Sequence, residues 1–430
     1  MVTGYEYVFD NIDQALFYVL DLERKSLAAD LDRKCPPNVS RPFLGMFLQS
    51  NPENNSLVHV ESLDYPYTAW FNNVDLDKFI MTRLRSGRYS LKPNLRNRKY
   101  LFRGETEFHS PCRPSLFRNI KQRRFTAELL RGQEMKLLML SHPLVQLLDM
   151  GVELDGQLFQ FEMNLFGLTQ HYYNKTMLLD LTSNPQVAAF FATTQYNWET
   201  DTYSPIIDET HKPGVLYYYS LDIDEDFGRL PDGKESRLST IGLQVFPRSG
   251  RQQGFLYNMC LNENFNDVSR VNAVMFRHNS AIATRICQKF NYGAGLFPDD
   301  ILMSHWKREN RDSNIVSCRT VLMNKIDNPN MTLAEVETEV RSLGFVIKDY
   351  RPAFSQEEMD EYYDAVWNKY YWIEFCSKIH IPGDKQGKKM KDLLNLPNNP
   401  KYRWAFVRDD SHVTNYDNGF VMKQYKACLV

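Results

Sequence analysis

Leu178-Leu179-Asp180-Leu181-Thr182-Ser183-Asn184-Pro185, continued by Gln186-Val187-Ala188-Ala189-Phe190-Phe191, is the stretch on which the fold turns. Its apolar run, Met177–Leu181, is short and bounded by a turn signal, the pattern of a buried strand. The run delivers Asp180, Thr182 and Ser183 at its end. Asn184-Pro185 then opens a helix, with Ser183 or Asn184 as N-cap and Pro185 in the first turn, where its missing N–H is no loss. Asp180 interrupts the apolar run and is expected to be paired or functional, because an unpaired buried carboxylate is costly.

Strand and helix signals alternate on both sides of this stretch. Lys99–Arg103 is a short strand candidate braked by Gly104, Gly214–Ile223 is the clearest strand, and Gln253–Met259 and Ala273–Arg277 are weaker ones. Helices are predicted over Ala127–Leu140 and from a cap at Ser280 through Phe290, closed by Gly293. Thr332-Leu333-Ala334-Glu335 and Ser355-Gln356-Glu357-Glu358 are capping boxes. The second leads a helix whose Met359, Tyr362, Tyr363, Val366, Trp367, Tyr370 and Tyr371 make one wide apolar stripe. Before residue 95, Pro36-Pro37, Pro42 and Asn51-Pro52 discourage long elements, while Asp75–Leu84 fits a short helix. The expected organisation is an N-terminal helical and irregular segment (1–94), a central domain (95–312) and a mainly helical C-terminal segment (313–430). Residues 382–400 read as a polar linker.

Composition narrows the class. At 430 residues the chain exceeds one comfortable core, and 43% hydrophobic with 24% charged residues describes a globular protein rather than a disordered one. The net charge of −2 conceals an asymmetry: Met81 to Arg124 holds 13 Lys/Arg against two acids, Glu105 and Glu107. Such an excess suits a polyphosphate ligand, a nucleic acid or an acidic protein acceptor, or simply a solvated face. Seven cysteines are scattered without a C-x-x-C pair, so reduced thiols and a cytoplasmic location are expected. No apolar run reaches the roughly 20 residues a membrane span needs, and no metal-ligand spacing occurs. A P-loop, a Rossmann glycine fingerprint, a G-x-S-x-G elbow and an H-E-x-x-H helix are all missing, which removes the anchors for those chemistries.

Six short motifs occur in one order: Phe102-Arg103-Gly104-Glu105, Pro114-Ser115-Leu116-Phe117-Arg118, Gln170-His171-Tyr172, the Leu178–Pro185 stretch with its helix, Arg251-Gln252-Gln253-Gly254-Phe255 and Leu296-Phe297-Pro298-Asp299. In that order and spacing, residues 99–305 resemble the FRG domain. The motif order in turn resembles that of ADP-ribosyltransferases, with an arginine on the first core strand, a hydroxyl-bearing strand and an acidic strand. The resemblance implies an α+β fold built on an ADP-ribosyltransferase-like split mixed sheet with surrounding helices. It also implies NAD as the cofactor or substrate, for ADP-ribosyl transfer or NAD hydrolysis, as in a bacterial effector or antiphage toxin.

The residue roles implied by the resemblance follow from the chemistry. Breaking the nicotinamide–ribose bond builds positive charge on the sugar, as in glycoside cleavage. Arg103 beside Gly104 would hold the pyrophosphate bidentately. Thr182 and Ser183 would bond the ribose or fix the arginine, with Gln170 and Gln252 nearby and His171 as general base. A carboxylate would stabilise the sugar cation, a contribution of about 3–4 kcal/mol for one well-placed group. Gln252 and Gln253 occupy the acidic place and are neutral, so Asp180, Glu105 and Glu134 are the acids to test. Each residue also has a structural reading: Arg103 as an ion pair with Glu105 or Asp180, His171 as a bonded core histidine, Thr182-Ser183 as helix caps. A non-catalytic nucleotide or nucleic-acid binding module is the alternative function.

Overall fold

The computed structural model describes residues 8–34, most of 79–358 and the strands of a hairpin within 404–429. Seven strands form the central sheet: β1 (Val8–Phe9), β2 (Tyr100–Glu105), β3 (Leu178–Thr182), β4 (Gly214–Ser220), β5 (Leu238–Thr240), β6 (Gly254–Asn258) and β7 (Val271–Phe276). Their spatial order is β1-β7-β4-β2-β3-β6-β5. All neighbours run antiparallel except β1 beside β7, so the sheet is mixed. The helices used below are α1 (Ile12–Lys34), α2 (Gln122–Leu140), α3 (Leu165–Gln170), α4 (Pro185–Thr193), α5 (Pro247–Gln252), α6 (Ser280–Lys289), α7 (Cys318–Asp327) and α8 (Leu333–Ser342).

Strand alternation gives the sheet two faces, and both are covered. On one face Leu101, Leu179, Leu181, Val215, Tyr217 and Phe255 pack into one core. On the other, Phe102, Leu216, Val274 and Phe276 receive α1, α4 and α6 through Leu16, Val19, Phe190 and Ile286. A smaller core joins α2, α7 and α8 through Leu130, Val321, Val336 and Val340.

The join between β2 and β3 is unlike the others. β2 follows β4 through six register pairs, and β3 follows β6 through five, yet β2 and β3 meet only at Phe102 opposite Thr182. The sheet is therefore split toward the Glu105 end of β2 and the Leu178 end of β3. Gly104 lies beside this split, against α4. A Cβ there would overlap the carbonyl oxygen of Ala188 and lie 2.8 Å from the Ala192 Cβ, so glycine is what lets α4 sit down on β2.

Several expectations are corrected. Asp75–Leu84 does not give a helix: Phe79–Arg83 is a strand paired with Tyr89–Pro93, because the ladder to a partner strand outweighs a weak helical period. The N-terminal region is not made only of short pieces, since α1 runs for 23 residues before Pro36 and buries Ile12, Ala15, Leu16 and Val19. Of the two caps expected for α4, Asn184 is the one that serves, accepting from the Gln186 N–H, whereas the cap of α6 is Asn279 rather than Ser280. Within the C-terminal part, alongside α7 and α8, Trp404–Tyr416 and Phe420–Leu429 pair as an antiparallel hairpin that the sequence reading did not include. The capping box at Thr332 and Glu335 is present as expected, and Ser355 and Glu358 exchange the same two bonds. The stripe beginning at Met359 and the 382–400 linker lie outside the described residues. Among the described residues no helix is long and apolar enough to cross a membrane, and Cys112, Cys260, Cys287 and Cys318 are free thiols.

Candidate functional site

A cleft of about 280 Å³ opens at the split. Arg103, His171, Asp180, Thr182 and Gln252 line it, against an apolar wall from Phe102, Val187, Ala188 and Phe191. Strand parity sends Arg103 to the face opposite Thr182, because Phe102 is the residue paired with Thr182. Both reach one hollow only because β2 and β3 part there.

Arg103 is heavily engaged. Its Nε and Nη2 donate to Glu105 Oε1 at 3.0 and 2.6 Å, and its Nη1 donates to the Asp180 carbonyl at 3.0 Å. A guanidinium carries five N–H groups, so two remain for a ligand. Glu105 is buried, which by itself raises its pKa, but the Arg103 guanidinium outweighs burial and holds it ionised below its ordinary value. Arg118 stands 3.7 Å from the same oxygen. Burial and the Glu105 charge push the thiol of neighbouring Cys112 up to about 12, which disfavours its thiolate.

His171 is held from both ends by α5. Gln252 Oε1 lies 3.1 Å from His171 Nδ1, while Gln252 Nε2 donates to the Leu296 carbonyl at 3.3 Å. With the amide oriented that way, Nδ1 carries the proton and Nε2 presents its lone pair. Arg248, buried over the Tyr172 ring at 4.8 Å, donates to the His171 carbonyl at 3.2 Å. Burial lowers the His171 pKa, the Asp180 charge opposes this only in part, and the imidazole is neutral near pH 7.

Asp180 is not fully buried, its side chain being 41% exposed. Its Oδ2 accepts from Gln170 Nε2 at 2.6 Å, and Thr176 donates to the oxygen of the same Gln170 amide. Asp180 Oδ1 and His171 Nε2 face each other at 3.7 Å, and neither has a hydrogen-bond partner. Two shielded polar atoms left open beside one another in a cleft are the uncommon feature here.

The other sequence candidates fall into different places. Thr182 Oγ1 donates to the Gln252 carbonyl at 2.6 Å and accepts from the Asn184 N–H at 3.0 Å, so its hydroxyl ties the strand end to α5. Ser183 donates to Gln253 Oε1 at 3.2 Å, and neither residue lines the cleft. Gln253 has φ +49° and caps α5, a left-handed residue in a turn. Glu134 lies elsewhere, accepting from Ser317, Thr320 and Tyr350. In the basic stretch, Arg88 pairs with Asp149, Arg98 with Glu23, and Arg113 donates to the Glu263 carbonyl. Missed from sequence were Arg248 and the orienting role of Gln252; contacts to His171 across some eighty positions leave no local signal.

The segment carrying β2, β3 and α4 decides the family. Residues 98–201 match the family model of the FRG domain. The chain carries an FRG domain. The matched range holds Arg103, Glu105, His171, Asp180 and Thr182, while the FRG match stops short of Gln252 and α5. No curated protein and no solved structure matches the chain.

Proposed function

We propose that the cleft of the FRG domain binds NAD and breaks its nicotinamide–ribose bond, passing the ADP-ribosyl group to water or to an acceptor hydroxyl. The arrangement at the split corresponds to what an ADP-ribosyltransferase-like sheet would need. The observation that carries this reading is the unpartnered, shielded pair of Asp180 Oδ1 and His171 Nε2, 3.7 Å apart beside Arg103. Asp180, rather than Glu105 or Glu134, is the carboxylate that stands beside the His171 nitrogen. The charge of Glu105 is already matched by Arg103 through Oε1, although its Oε2 has no partner, and Glu134 lies outside the cleft.

Nicotinamide leaves with the bonding electron pair and departs neutral. The positive charge left on the sugar carbon is stabilised by the Asp180 carboxylate. The attacking oxygen forms the new bond to that carbon and gives its proton to His171 Nε2, which the bond to Gln252 keeps unprotonated and in place. Charge balance favours NAD over a nucleoside triphosphate, since Arg103 and Arg118 are offset by Glu105 and Asp180, and NAD carries a cationic ring beside its phosphates. Thr182 contributes by fixing the floor of the cleft.

The test is release of free nicotinamide from NAD by the full chain. Asp180→Asn removes the charge but keeps the shape, and a rate about 100- to 1000-fold lower is expected. Unchanged turnover in that variant would contradict the role of Asp180. Binding of NAD without any release would favour the non-catalytic binding module.

A further inference from the structure

A second hollow, also about 280 Å³, adjoins the first and shares Arg103, Arg118 and Asp180 with it as lining residues. The strand residues show the direction. β3 lines the first cleft with Asp180, Leu181 and Thr182, and the second with Leu178, Leu179 and Asp180. Opposite β3, the first is closed by Phe102 to Glu105 and the second by Arg103, Ser115 and Arg118. Arg103, Arg118 and Asp180 belong to both and form a waist. The inner hollow begins where β2 and β3 still touch, and the outer one lies where they have separated.

The two hollows differ in chemistry. The inner one has an apolar wall, the Glu105 and Asp180 carboxylates and the open His171 nitrogen. The outer one keeps only Asp180 of those acids and adds Lys175, with Ser115, Gln170 and Asn174 as hydrogen-bonding groups. Lys175 faces Glu128 at 3.8 Å, an ion pair that leaves its other N–H donors available. Each hollow alone sits at the lower edge of the roughly 300–1,000 Å³ typical of small-molecule sites, room for one nucleotide half.

We propose that the two hollows are one elongated site for a dinucleotide, laid along the split with its pyrophosphate at the Arg103–Arg118 waist. The inner hollow takes the half that bears the positive ring, between the apolar wall and the Asp180 carboxylate. The outer hollow takes the second nucleoside, its phosphate drawn by Arg118 and Lys175. This rests on the NAD reading of the inner cleft and adds the orientation and extent of the ligand.

Ser115→Trp tests it, because Ser115 is exposed and lines the outer hollow but not the inner one, so that an indole there is placed to obstruct the outer hollow alone. Calorimetric titrations of the full chain with NAD, ADP-ribose and nicotinamide mononucleotide are compared, with thermal melting to confirm folding. The variant is expected to weaken NAD and ADP-ribose at least tenfold and to leave the mononucleotide unchanged; Lys175→Glu is expected to give the same pattern more weakly. Overturning results are NAD affinity unaltered in a folded Ser115→Trp protein, or mononucleotide affinity falling in parallel. If the wild-type chain binds none of the three, the NAD reading fails first and this orientation with it.

Discussion

Gly104→Ala is expected to break the seating of α4 on β2. The new methyl group would overlap the Ala188 carbonyl oxygen, lie 2.8 Å from its carbonyl carbon and 2.8 Å from the Ala192 Cβ. None of these atoms is the free end of a flexible side chain. The helix cannot step away easily: Asn184 caps it, Pro185 opens it, and Val187, Ala188, Ala189, Phe190 and Ala192 are all buried. Overpacking usually costs about 1–3 kcal/mol, and a clash with backbone belongs at or beyond the upper end. At roughly 2–4 °C per kcal/mol for a domain of this size, melting should fall by roughly 6–12 °C. A melting temperature within about 2 °C of the parent would show that β2 and α4 are not packed this closely.

Arg103→Ala should cost about 3–5 kcal/mol near neutral pH, because it leaves the buried Glu105 carboxylate without its main partner. Arg118 at 3.7 Å places the expected loss toward the lower end. The effect should depend on pH with a definite sign. In the parent, burial raises the Glu105 pKa but Arg103 brings it below 4.5, so its stabilisation is present above that pH and is lost as pH falls through the lowered pKa. In the variant, burial prevails and the folded carboxyl titrates above 4.5. Its penalty is then full at neutral pH and relieved on acidification. The stability difference, measured by urea unfolding, should narrow from pH 7 to pH 4. A difference that stays constant across that range would mean that Glu105 is not the group Arg103 neutralises.

The fold was more legible in the sequence than the site. Short apolar runs marked β3 and β4, Asn184-Pro185 marked the start of α4, and Thr332 with Glu335 marked α8, because these signals are local. The strand at Phe79–Arg83 was hidden, since its ladder depends on Tyr89–Pro93 rather than on its own period. The edge strand Val8–Phe9 was hidden for the same reason, its partner being Met275–Phe276.

Within the site, Arg103 and Asp180 could be named because their residue types stand out in apolar company. Their geometry could not be read. That Thr182 and Arg103 arise from opposite faces follows from a register that a single pair, Phe102 with Thr182, establishes. Ser183 and Gln253 looked like partners of the ligand and turn out to bond each other, while Gln252, read as a defective acid, orients His171.

The most direct test of the nucleotide cleft is nitrogen-15 NMR of histidine-labelled protein titrated with NAD. His171 and His109 line the cleft, whereas His142 and His305 lie outside it. The account predicts saturable shifts at His171 and His109, none at His142 and His305, and a ligand-free His171 ring that titrates below the ordinary histidine value because burial lowers its pKa. Unmoved His171 and His109 signals at millimolar NAD, or shifts confined to the other two rings, would contradict it.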